Sequence, residues 1–501
     1  MYKANYLAAK LAVHASDAPF LEDFTSGQTL THNDIWRGAE RMAAALTRLG
    51  LRPGDRVAVQ AEKSVAMLEA YLGVVLAGGV FLPLNTAYVA AEIGYFLADA
   101  TPKIFVCDPS RLSELSPVAK AARVAQILTL GDENGSLRDA QNAEEPGFQA
   151  VACGPDDLAA ILYTSGTTGR SKGAMLSHKA LASNSEVLRD IWHFTSADVL
   201  IHALPIYHTH GLFVATNVTL MAGASCIFMS KFNAQDVIGE MPRATALMGV
   251  PTFYTRLLGD KNLPEAARNM RLFISGSAPL LAETHRDWTA ATGHAILERY
   301  GMTETNMNTS NPYDGERRPG TVGFALPGVA LRICDGEEKV KNGEIGVIEV
   351  RGPNVFSGYW QMPEKTAQEL RPDGWFISGD LGRIDEDGYL HIVGRGKDLI
   401  ITGGFNVYPK EVEEAIDALS GVFESAVIGV KHADFGEAVV AVVVASNVGE
   451  ISEAQVLAGL EGQLARFKQP KKVVFVDALL RNAMGKVQKN LLRAEYAEIL
   501  A

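Results

Sequence analysis

Short apolar runs alternate with longer stretches of helical periodicity through most of this chain, the pattern of an α/β protein. Residues 63–76 read as a helix and residues 79–84 as a turn and a buried strand. Residues 102–107 form a further strand, and residues 118–121 with 126–130 repeat the theme. The polar, glycine-rich span 131–154 reads as surface loop. Three apolar runs, 158–162, 271–274 and 295–298, each lead into small polar residues: YTSGTTGRSKG (163–173), SGSAP (275–279) and YGMTET (300–305). Strand ends of this kind are where open α/β sheets hold ligands.

The pattern changes after Tyr389. The run HIVGRGKDLIITGGFNVYPKEVEEAI concentrates charged residues and glycines, and a compact α/β pattern follows it. There the spacing predicts a helix over 409–419, strands over 423–430 and 438–444, a helix over 452–467 and a strand over 472–475. These shifts place a large domain, itself made of α/β subdomains, over 1–394, a hinge at 395–397 and a small mobile domain over 398–501, which is of ordinary domain size.

Composition narrows the function classes. Apolar residues make up 47% of the 501 and charged residues 21%, which excludes a disordered or fibrous chain. The formal net charge of -12 argues against a chain-wide nucleic-acid surface. Cys107, Cys153, Cys226 and Cys334 are far apart, with no metal-ligand or CxxC spacing, as expected of a reducing compartment. The longest apolar run, 70–84, is broken by glycines and a proline and is shorter than a membrane span. With no secretion signal readable at the N-terminus, the expectation is a cytoplasmic protein without nucleic-acid or membrane partners.

The strongest single signal is the loop after the strand at 158–162. Thr164, Ser165, Thr167 and Thr168 supply hydroxyls, and Gly166, Gly169 and Gly173 let the backbone curl until successive N–H groups point inward as an anion nest. Lys172 adds a mobile positive charge. Gly173 follows the lysine, where a Walker A loop requires Ser or Thr.

At these residues the chain resembles the acyl- and aryl-adenylate-forming enzymes, which include the acyl-CoA synthetases, and the resemblance covers nearly its whole length. The family's phosphate loop matches 164–173 and its YGxTE motif matches YGMTE (300–304). Its (W/Y)xxTGD motif is GWFISGD, with Ser378 in place of the commoner threonine, ending at Asp380. GRxxD is GRGKD (394–398), and the C-terminal PxxxxGK element is RNAMGK ending at Lys486, with Leu480 where proline is common.

The resemblance implies ATP and CoA as co-substrates, Mg²⁺ as cofactor and a role for each matched residue. The segment from Thr164 to Lys172 is expected to close over the β- and γ-phosphates, with Thr303 near the α-phosphate and Glu304 ligating Mg²⁺ together with phosphate oxygens. Asp380 and Arg395 are expected to bind the ribose hydroxyls, as acceptor and as a fixed fork of donors. Tyr300 is expected to stack on adenine, with Gly301 and Met302 beside it. Gly276, Ser277, Ala278 and Glu298 would line the nucleotide pocket. Lys486 is the expected adenylation lysine, placed to stabilise charge growing on the phosphoryl oxygens. Lys397 falls at the hinge, and Gly403, Gly404 and Phe405 fall in the loop that completes a tunnel for the CoA thiol. Two conformations, one per half-reaction, follow from that arrangement.

The acyl side is read from HALPIYHTHG (202–211), which resembles the family's acyl-pocket element, with His208 at its histidine. His208 is expected to gate the thiol or contact the acid. His202 and His210 flank it, but two or three histidines do not complete a zinc site. Residues 201–233 contain no Asp or Glu, which argues against an amino-acid substrate. Arg256 and Arg299 instead stand at the expected pocket, and an arginine in a compact pocket requires an anion. A second carboxylate on the substrate would answer it bidentately. ERYGMTETNMNTS (298–310) and LMGVPTFYTRL (247–257) are similar to the malonate-activating branch of the family. A short dicarboxylic acid is therefore the expected substrate, with Arg256 slightly favoured as its ligand. Another short or aromatic acid, a non-catalytic nucleotide-binding scaffold, and a purely structural ion pair of the arginines with Glu298 remain open at this point.

Overall fold

The computed structural model describes residues 1–164, 171–402, 405–432, 435–447, 449–461, 463–482 and 485–500. The chain divides into two compact units, Met1–Ala330 with Val350–Phe376, and Leu331–Glu349 with Ile377–Ala501. Residues 395–397 lie within the second.

The first unit is built on two sheets. One runs, edge to edge, Gln126–Thr129, Ile104–Cys107, Arg56–Gln60, Val80–Pro83, Leu158–Thr164 and Lys172–Ser177. All neighbours are parallel except the last pair, which is antiparallel. Val80–Pro83 and Ile104–Cys107 are buried at every position, as strands covered on both faces must be. The second sheet has nine strands. Its centre is the parallel set Leu297–Met302, Leu272–Ser275, Ala246–Gly249, Val199–His202 and Ser225–Phe228. Leu272–Ser275 and Leu297–Met302 are neighbours, so SGSAP begins beside the strand that carries Tyr300, Gly301 and Met302, which pairs in turn with Asn306–Ser310.

The second unit holds most of a five-stranded sheet, in which Phe376–Ile384 and Leu390–Arg395 form an antiparallel pair. It also holds a sheet of Phe405–Val407, Ile400–Thr402, Gly436–Ala445 and Val422–His432, with Lys472–Phe475 pairing with Gly436–Ala445. Alternation decides its packing. Val439, Ala441 and Val443 join Val412 and Ile416 on one face, and Val440, Val442 and Val444 join Leu479 and Leu492 on the other.

Two expected elements differ. The span 131–154 contains a helix, Ser136–Asn142. It is held by Glu69, which is buried and is answered by Arg138 at 2.5 Å and Gln141 at 2.8 Å. Nothing in the local composition announces that distant carboxylate. Among the described residues the helix expected over 452–467 is only Glu453–Leu460: after a well-capped start at Ser452, Glu461 turns to extended backbone. Among the described residues no helix is long and apolar enough to cross a membrane.

Candidate active site

The phosphate loop leaves the first sheet between antiparallel partners, Thr164 and Lys172. Ser165, Gly166, Thr167, Thr168 and Gly169 lie outside the described residues. The Lys172 ammonium lies 3.1 and 3.2 Å from the two carboxylate oxygens of Glu369, at the end of the helix Pro363–Glu369, and 4.1 Å from the centre of the Tyr359 ring. The buried Tyr359 hydroxyl is 2.6 Å from Glu369 Oε2 and 3.1 Å from Glu304 Oε1. Glu304 is itself buried, and Thr164 Oγ1 lies 3.5 Å from its carboxylate. Burial opposes ionisation of Glu369, but donors from Lys365 and Tyr359 and the charge of Lys172 outweigh it and hold its carboxyl below the usual range. Burial, then the charges of Glu304 and Glu369, push the Tyr359 phenol far up, so it acts here only as a neutral hydroxyl.

Glu304 follows the strand Leu297–Met302 with one residue between. Gly301 is required there, because a Cβ would sit 1.9 Å from the Asn306 carbonyl oxygen. Tyr300, Gly301, Met302 and Thr303 are half-buried and consecutive along this edge. On the neighbouring strand end Ser277 takes φ +73°, a conformation that a serine adopts only when its surroundings demand it, and its hydroxyl lies 3.3 Å from His210 Nδ1. Ala278 is half-buried beside it. Glu298 is buried and accepts a hydrogen bond from the Leu280 backbone, so its carboxylate also fixes the loop after SGSAP.

The two arginines separate. Arg256 was expected to face the acyl end, but it is exposed: the helix Pro251–Leu257 buries Phe253, Tyr254 and Leu257 and turns Arg256 to solvent. Helical spacing forces this choice, since residue 256 lies off the face that 253, 254 and 257 share. Arg299 is 3% exposed, and its Nε and Nη2 have no hydrogen-bond partner among the described residues. Gly276 makes room for it, because a Cβ there would lie 2.4 Å from the guanidinium carbon. Burial pushes Arg299 down to about 9, with Tyr254 and Glu298 opposing, so the group keeps its charge at neutral pH.

The histidines of residues 202–211 serve different ends. His202 Nε2 lies 3.0 Å from the Gly211 carbonyl and 3.1 Å from Thr216 Oγ1, and its Nδ1 lies 3.0 Å from the Lys63 ammonium. It is a satisfied core group. His208 and His210 each keep a buried Nε2 with no partner among the described residues. Burial pushes His208 down to about 4; burial, then the charge of Arg299, pushes His210 well below its usual value. Both rings are therefore neutral and able to contact a ligand. Among the described residues no group of three or more His, Cys, Asp or Glu could hold a metal by itself.

In the second unit Asp380 and Arg395 face each other across their strand pair, with Arg395 Nε 2.6 Å from Asp380 Oδ1. The Ser378 hydroxyl donates to the Ile348 carbonyl and accepts from the Asp380 N–H, which explains why a hydroxyl residue stands before Asp380. Lys486 sits on a tight turn. Its N–H donates to Asn482 Oδ1 at 3.0 Å, and Arg481 donates to the Gly485 carbonyl at 2.6 Å. Its side chain stays exposed, yet its ammonium is pushed down to about 8 by desolvation and the charges of Arg395 and Lys397, with Asp380 and Asp398 opposing. Lys397 is shifted down in the same way, by desolvation first. Gly403 and Gly404 lie outside the described residues; Phe405 is exposed and stacks on Phe467 at 4.7 Å.

Sequence reasoning missed Tyr359 and Glu369. Glu369 lies 197 residues from Lys172, in a segment whose PEKTAQEL pattern reads as an ordinary amphipathic surface helix. No local spacing signals it.

Residues 7–360 match the profile of the AMP-binding enzyme family, and residues 411–486 that of the AMP-binding enzyme C-terminal domain. A malonate–CoA ligase of Arabidopsis thaliana is 34% identical over 89% of this chain and 78% of its own, and a mitochondrial malonate–CoA ligase of Mus musculus is 35% identical over 93% and 87%. The crystal structure of ATP-bound MatB from Rhodopseudomonas palustris superposes with a TM-score of 0.97, at 61% identity over 99% of this chain and 100% of that one. With both profiles matched in order along the chain, the protein belongs to the AMP-binding enzyme family, as a large N-terminal adenylate-forming domain followed by a small C-terminal α/β domain.

Proposed function

We propose that this protein joins malonate to coenzyme A in two half-reactions. A malonate carboxylate oxygen attacks the α-phosphorus of ATP; the new P–O bond gives malonyl-AMP as the bond to pyrophosphate breaks. The CoA sulfur then attacks the acyl carbon, and the C–O bond to AMP breaks, giving malonyl-CoA. The anhydride makes the second step possible, because a free carboxylate is a poor electrophile.

The observation that carries the malonate reading is Arg299. A guanidinium buried to 3% exposure, with two nitrogens that have no hydrogen-bond partner among the described residues, is costly unless a ligand supplies the anion. The distal carboxylate of malonate does so, and the neutral His208 and His210 beside that site are suited to contact the acid or the incoming thiol. The malonate–CoA ligases among its relatives support the same substrate.

Membership of the AMP-binding enzyme family supports the remaining roles. Lys172 and the loop before it take the β- and γ-phosphates, and Thr303 lies by the α-phosphate. Tyr300 packs on adenine, with Gly301 and Met302 beside it and Ser277, Ala278 and Glu298 lining the pocket. Asp380 and Arg395 take the ribose, and Lys486 stabilises charge on the α-phosphoryl group. Lys397 is the hinge between a large domain over 1–394 and a small one over 398–501, and Gly403, Gly404 and Phe405 line the pantetheine path. Glu304 fits a Mg²⁺ site: it is a buried carboxylate beside a phosphate loop with no set of protein ligands sufficient alone, and Mg²⁺ ordinarily takes one or two carboxylates plus phosphate oxygens and water. Bound there, Mg²⁺ would neutralise phosphate charge. The four cysteines are buried thiols, in keeping with a cytoplasmic location.

The test is AMP release by purified protein with ATP, CoA and malonate, propionate, acetate or benzoate. Turnover with malonate far above the others is expected. Equal turnover with propionate overturns the malonate reading and leaves a general acid–CoA ligase.

A further inference from the structure

Lys172 is already engaged. Its side chain is 15% exposed, and its ammonium lies within 3.2 Å of both oxygens of Glu369, with the Tyr359 ring beneath it. A polyphosphate cannot be gripped by that ammonium while the carboxylate holds it, because the two anions compete for one point charge. We infer that Glu369 is the resident anion of the phosphate site: it holds the Lys172 ammonium until the nucleotide's phosphates take it over, so that ATP binding exchanges one anion for another.

Three features suit Glu369 to such an exchange. Lys172 ends a flexible stem on the first residue of its strand, so its ammonium can move without moving the sheet. Glu369 is not left bare when Lys172 departs, because Lys365, one helical turn earlier, lies 2.7 Å from its Oε1 and the Tyr359 hydroxyl 2.6 Å from its Oε2. The same Tyr359 hydroxyl lies 3.1 Å from Glu304 Oε1, so the lysine, its holding carboxylate and the carboxylate expected at the metal share one hydrogen-bonded cluster. One phenolic proton serves only one carboxylate at a time, which ties the state of Glu369 to that of Glu304.

The inference rests on Lys172 being a phosphate ligand, and a mutant cycle separates the two claims. ATP dissociation constants are measured by calorimetry, without metal, for the wild type, Glu369→Gln, Lys172→Gln and the double variant. Glu369→Gln is expected to tighten ATP binding about 5- to 30-fold, within the ordinary range of coupling between sites, and to do nothing in the Lys172→Gln background. Equal tightening in both backgrounds means that Glu369 merely repels polyphosphate, and it overturns the exchange. Unchanged or weaker binding by Glu369→Gln overturns it as well. If Lys172→Gln alone leaves ATP affinity unchanged, the phosphate role of Lys172 fails, and the exchange with it. Lys365→Met, on a part-exposed side chain, is the second variant should Glu369→Gln not fold. Glu369 then depends more on Lys172, and ATP binding is expected to weaken about 2- to 10-fold, again only where Lys172 is present. Unchanged or tighter binding in Lys365→Met overturns the exchange.

Discussion

Two cations of the larger unit, Lys172 and Arg299, are the proposed anion ligands, and the protein treats them oppositely. Lys172 starts a strand at a sheet edge and rests on Glu369. Arg299 lies within a strand whose neighbours are buried, and its Nε and Nη2 face no acceptor among the described residues. The first site carries a substitute for its ligand; the second does not. A substitute moderates affinity and keeps the apo protein comfortable. An unanswered charge destabilises the apo protein and rewards the one ligand that can answer it. On the proposed reading, specificity sits with Arg299, whereas Lys172 offers adjustable binding of the nucleotide. Lys486, in the smaller unit, lies between these extremes, with two carboxylates and two cations acting on it.

The sharpest break of that contrast is Arg299→Met. Losing a charge-assisted contact from a closed site costs about 2–5 kcal/mol, or about 30- to several-thousand-fold in kcat/KM for malonate. Propionate turnover should change far less. An unaltered malonate-to-propionate ratio would make Arg299 structural. Next comes Lys486→Ala, which should slow adenylation by about 100- to 1000-fold in rapid-quench measurements, while thioester formation from supplied malonyl-AMP persists. Equal loss of both half-reactions would remove Lys486 from the chemistry.

The pH dependence has a definite sign. In the role proposed for Lys486 the protonated form is the useful one, and its ammonium, pushed down to about 8, is lost as pH rises through that value. The wild-type adenylation rate should fall across that range, and the residual rate of Lys486→Ala should not. Arg299 also makes a stability prediction. Its desolvated charge is disfavoured in the apo fold, so apo Arg299→Met should melt about 2 °C or more above wild type, and malonate should raise the melting temperature of the wild type only. The smallest effect is Arg256→Met: on the exposed side of its helix, it should leave the malonate kcat/KM within about twofold. A large loss there would return the dicarboxylate role to Arg256.

The candidate site residues stand out in the sequence because each sits in a short run with its own composition. Thr164 to Lys172, YGMTE, Asp380, GRGKD and the GK at 486 are contiguous signals at strand ends or turns. The choice between Arg256 and Arg299 was not legible. Both flank the same predicted pocket, and only the rotation of the helix Pro251–Leu257 exposes one while the close approach at Gly276 buries the other. The helix Ser136–Asn142 was missed for the same kind of reason, since its polar residues answer Glu69, which is far away in sequence.

Sequence alone determined the α/β class, the order of the motifs and which residues carry charge and hydroxyls, because hydrophobic periodicity and glycine placement are local properties of the chain. Tertiary structure decided which charges are answered. Glu369 reaches Lys172 across 197 residues, and Arg299 is left without an acceptor for two of its nitrogens among the described residues. Burial and ion pairing depend on three-dimensional neighbours, and those neighbours are set by sheet order and helix rotation, which no single stretch of the sequence encodes.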